Sequence, residues 1–68
     1  MSRHNLQPRP KKASHQDWMQ AKAARDGEAI GCYRALNNGQ VALAQEQARR
    51  AAYWDTRMAA IEAELDQA

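Results

Sequence analysis

Phenylalanine is absent from these 68 residues, and cysteine occurs once. The single thiol, Cys32, cannot close an intrachain disulfide. One cysteine with two distant histidines, His4 and His15, lacks the spacing of a zinc site. Valine, isoleucine and threonine are scarce and no period-two alternation occurs, which excludes a strand-built fold. The three glycines, Gly27, Gly31 and Gly39, form no phosphate-cradling loop. No run approaches the roughly 18 apolar residues of a membrane span. The basic N-terminal residues are followed by no apolar core of a secretory signal, so a cytoplasmic location is expected. Neither histidine has a nucleophile at a recognisable spacing, and Glu62, Glu64 and Asp66 read as a solvated acidic helix end. The expectation is therefore a protein that is not an enzyme and carries no cofactor and no metal.

What the chain does have is alanine and helix formers. Three segments separate. Residues 1–13 form a basic arm with Arg3, Arg9, Lys11 and Lys12 and no acid, and with both prolines, Pro8 and Pro10. Prolines favour extended backbone around them, so the arm is read as disordered. Residues 14–68 read as a helical hairpin. Ser14 followed by Asp17 is the pattern of a capping box, which opens helix 1 over about 14–37. Asn37-Asn38-Gly39 stops it, since Asn and Gly tolerate the left-handed conformation that ends helices. Helix 2 spans about 40–67 without an internal proline or glycine. A loop this short forces the helices antiparallel.

One apolar stripe runs along helix 2: Ala44, Gln47, Ala51, Trp54, Met58, Ile61, Leu65 and Ala68. Its three-four spacing is the heptad seam of a coiled coil. Gln47, the polar member, can fix register at some cost in stability. On helix 1 the broad apolar face holds Trp18, Met19, Ala29, Ile30, Cys32, Tyr33 and Leu36, interrupted by Lys22, Arg25 and Asp26. The core and dimer seam is thus expected from Trp18, Ile30, Leu36, Trp54, Met58, Ile61 and Leu65. Ala24, Gly27, Gly31 and Ala35 line another side of helix 1, where a second helix could approach closely.

A chain near 60 residues buries only about 60% of its unfolded surface, so a partner chain is expected to complete the core. Trp54 at a core position suits the meeting of four helices better than two, which predicts two hairpins in a four-helix bundle. Arg50 and Arg57 at g positions and Asp55 and Glu62 at e positions favour a parallel pairing of helix 2 across the dimer. This architecture is similar in shape to the repressor-of-primer class. Those are small helical hairpins that dimerise into four-helix bundles and bind paired RNA loops. The resemblance is of shape alone and carries no functional residue over.

Arg49, Tyr53 and Arg57 follow each other at four-residue steps on the side of helix 2 away from the seam, with Arg50 beside them. Tyr and Arg are the residues most enriched in interface hot spots. The sequence therefore points to a small protein-interaction module that binds and modulates, or inhibits, a larger protein. Helical chains of this size are common among bacteriophage and mobile-element accessory proteins. The alternative is an RNA- or DNA-binding regulator that uses the basic arm, with an assembly subunit as a third class.

Overall fold

A computed structural model describes residues 13–67, so Arg3, Arg9, Lys11, Lys12 and Ala68 lie outside the described residues. Two α-helices, α1 (His15–Asn37) and α2 (Val41–Asp66), pack against each other as an antiparallel hairpin. The sequence dictates where each begins and ends. The Ser14 hydroxyl accepts from the Asp17 N–H at 3.2 Å, and the Asp17 carboxylate accepts from the Ser14 N–H at 2.9 Å, which completes the capping box. At the other end Gln40 N–H donates to the Ala35 carbonyl at 2.8 Å and Gly39 N–H to Leu36 at 3.0 Å. That is a Schellman closure, and it requires the positive φ of +74° that Gly39 adopts. By contrast α2 starts on Gln40 with no side-chain cap and no acid in its first turn. Its first turn depends on the closure before it.

The heptad stripe of α2 is its packing face. Ala44, Met58 and Ile61 are buried, while Gln47, Ala51, Trp54 and Leu65 are partly buried. Against them α1 turns small residues. Ala21 packs with Met58 and Ile61, and Trp18, Trp54, Leu65 and Ala13 close around that cluster. Nearer the turn, Ala35 is buried and Gly31 lies against Gln47. A Cβ built on Gly31 would overlap the Gln47 carboxamide, so the close approach expected of the small-residue side occurs here. Gly27 does not share it, for nothing lies within 4 Å of its Cβ position.

The broad apolar face of α1 does not pack as a whole into the hairpin. Within one chain Ile30 and Leu36 stay out of the core, each 53% exposed, and Met19 and Tyr33 are exposed as well. Turning that face inward would bring Lys22 and Asp26 into the interface, at the cost of desolvating two charges. Instead Lys22 Nζ binds Asp26 Oδ2 at 2.7 Å on the partly exposed edge. Arg25 bridges Asp26, at 2.8 Å, and Asp55 on α2, at 2.7 Å. Hydrogen bonds from Lys22 and Arg25 hold the Asp26 carboxyl below the usual carboxylate range.

Candidate interaction surface

The antiparallel register sets which side chains meet. Reflecting the chain about the turn brings Trp18 to Glu62, Arg25 to Asp55 and Glu28 to Arg50. The Trp18 indole Nε1 donates to Glu62 Oε2 at 2.9 Å. Arg50 Nε lies 3.1 Å from Glu28 Oε2, and its Nη1 lies 2.9 Å from Glu46 Oε2. Asp55, Glu62 and Arg50, read as charges for pairing one chain with another, all engage α1 of their own chain. The bond to Glu28 is the main reason that the Arg50 guanidinium holds its proton more tightly than a free one.

These pairings divide the cations in two. Lys22, Arg25 and Arg50 are neutralised by carboxylates, whereas Arg34, Arg49 and Arg57 have no ion-pair partner among the described residues. Arg49 and Arg57 stand one turn to either side of Tyr53, which is 60% exposed. The Tyr53 ring meets Trp54 edge-on, with centroids 5.1 Å apart and planes at 78°. Trp54 is partly buried against the core cluster, so the exposed phenol rests on a side chain that packs on the core.

Tyr53 and Arg57 also line a cleft of about 240 Å³ between the helices. Trp54, Ala21 and Ile61 give it apolar lining, and α1 contributes Asp17 and Gln20. Neither residue belongs to α2, and only the antiparallel register, a reflection of the sequence about Gly39, brings them to it. Of the four residues read as partner-binding, Tyr53 and Arg57 come together in the cleft, and Arg49 lies a turn away on the same side of α2. Arg50 is already engaged with Glu28 and Glu46.

A second surface lies on the other side of the hairpin, toward the turn. Ala29, Cys32, Tyr33 and Leu36 of α1 and Ala48, Ala51, Ala52 and Asp55 of α2 line an open groove of about 400 Å³. Its walls are unequal, with Tyr33 and Leu36 on α1, and three alanines with Asp55 on α2. Cys32 is a free, half-buried thiol in that lining. Among the described residues no group of three or more His, Cys, Asp or Glu could hold a metal ion, and no helix is long and apolar enough to cross a membrane.

No protein-family model, curated protein or solved structure matches this chain.

Proposed function

We propose that this chain is a non-enzymatic interaction protein that binds a larger protein in the cytoplasm and inhibits it, in the manner of phage and mobile-element accessory proteins. The observation that carries this reading is the Tyr53 phenol, exposed but in edge-on contact with Trp54, beside two arginines that have no ion-pair partner among the described residues. A rigid aromatic loses little conformational freedom on binding, and arginine supplies directional hydrogen bonds. A module of this size acts by covering a site on its partner.

The acting unit is a homodimer in which two hairpins form a four-helix bundle through the Ala29, Cys32, Tyr33, Leu36, Ala48 and Ala52 groove. What supports this is the unused apolar surface. Ile30, Tyr33 and Leu36 stay exposed on a hairpin whose core holds only Ala21, Ala35, Ala44, Met58 and Ile61 as buried residues among those described. A two-fold pairing lays the bulky wall of each groove on the alanine wall of the other. The dimer presents the Tyr53 patch twice.

Heparin chromatography of the full chain separates this reading from nucleic-acid binding. An interaction protein elutes at low salt, and deleting Met1–Lys12 weakens its hold on a captured protein partner only modestly. A regulator working through Arg3, Arg9, Lys11 and Lys12 is retained strongly. Its affinity for nucleic acid falls steeply with salt and is mostly lost with the arm, and that result overturns the proposal.

A further inference from the structure

We propose that the cleft between Tyr53 and Arg57 receives an acidic side chain, glutamate or aspartate, from the partner protein. This rests on the reading of the Tyr53 patch as the interaction surface and names the chemistry that the patch selects. The cleft volume of about 240 Å³ suits one side chain. Its polar rim carries Arg57, which has no ion-pair partner among the described residues, and the Gln20 carboxamide, which supplies further N–H donors. Its apolar lining, Trp54, Ala21 and Ile61, covers the methylenes that link a carboxylate to its backbone.

Charge distribution favours an acidic partner over a neutral one. The hairpin neutralises Lys22, Arg25 and Arg50 internally, yet Arg49 and Arg57, on either side of the phenol, have no ion-pair partner among the described residues. A guanidinium with nothing to bind gains a charge-assisted hydrogen bond when a carboxylate arrives. The same distribution disfavours a phosphate backbone. Asp17 lines the cleft itself, Glu46 stands beside Arg50, and Glu62, Glu64 and Asp66 crowd the end of α2. A single carboxylate in the cleft has one acid, Asp17, among its lining neighbours, whereas an extended polyanion meets the acids along the hairpin over its whole length.

The test is selection of binders to the full chain from a displayed random-peptide library, followed by titration of the selected peptides. The expected result is enrichment of Glu or Asp at one fixed position. Replacing that acid by Gln or Asn weakens binding about tenfold, the scale of one charge-assisted contact. Arg57→Glu releases these peptides and selects instead for Lys or Arg at the same position, with the helical circular-dichroism signal unchanged. Peptides without an acid that are nonetheless lost on Tyr53→Ala overturn the acid preference while leaving the interaction surface standing. Peptides indifferent to both Tyr53→Ala and Arg57→Glu overturn the preference and the surface together. Tighter binding of a single-stranded oligonucleotide than of any selected peptide, or failure to select any peptide that Arg57→Glu releases, also overturns it.

Discussion

Two glycines one turn apart in α1 behave differently because only one faces α2. Gly27 has open space where a Cβ would stand, so Gly27→Ala gains helix propensity without a clash, worth about 1 kcal/mol. Gly31→Ala gains the same propensity but displaces the Gln47 side chain, whose Oε1 is buried without a hydrogen-bond partner. Its stability falls below that of Gly27→Ala. Adding Gln47→Ala relieves the overlap and removes the difference, so Gly31 and Gln47 are coupled in a denaturant-melt double-mutant cycle. Equal effects of the two glycine substitutions would mean that the helices do not approach closely at Gly31. Sequence alone marks both glycines as small, and the register decides which one matters. Arginine follows the same logic. Arg50 and Arg57 look alike along α2, but Glu28 reaches only the first.

At the scale of the helices, α2 was legible and α1 was not. The α2 stripe concentrates Trp54, Met58, Ile61 and Leu65 on one side, and every described member of that stripe is buried or half-buried. On α1 the apolar residues are spread around the helix with almost no favoured side. Two packing faces competed there, one bulky and one small. Bulk suggested Ile30 and Leu36, but the charges Lys22 and Asp26 lie on that face, and the short side chains of Ala21, Gly31 and Ala35 let α2 come close. The end signals were legible because they are local: the capping box needs only Ser14 and Asp17, and the stop needs only Gly39. The Tyr53 cleft was half legible, since Asp17 and Gln20 reach it only through the antiparallel register. Comparing two aliphatic truncations checks the phase. Ile61 is 1% exposed, so Ile61→Ala costs about 2–5 kcal/mol, much of what so small a domain has. Leu36 is 53% exposed, so Leu36→Ala leaves the single hairpin nearly as stable, and under the proposed dimerisation its cost appears in the concentration dependence of the melt. A melt of Leu36→Ala that loses as much as Ile61→Ala at every concentration would place Leu36 in the hairpin core.

For the whole molecule, the proposed function gives two surfaces different tasks. It assigns the pairing of hairpins to the groove toward the turn, lined by Cys32, Tyr33 and Leu36, and partner binding to the cleft on the other side, lined by Tyr53 and Arg57. Assembly and recognition can then be altered separately, because no residue lines both. In the proposed dimer a second copy covers the small core, and the Tyr53–Trp54 contact ties the proposed recognition surface to that core. The central claim is that a protein partner is held by this outward patch. Isothermal titration of the partner captured from the source lysate tests it most directly, with the wild-type chain set against the double variant Arg49→Ala/Tyr53→Ala. Both positions are exposed on α2, so the variant keeps its helical content and its mass in solution. Binding through the outward patch requires the heat of binding to disappear in the double variant; full binding with fold and mass intact would rule that patch out.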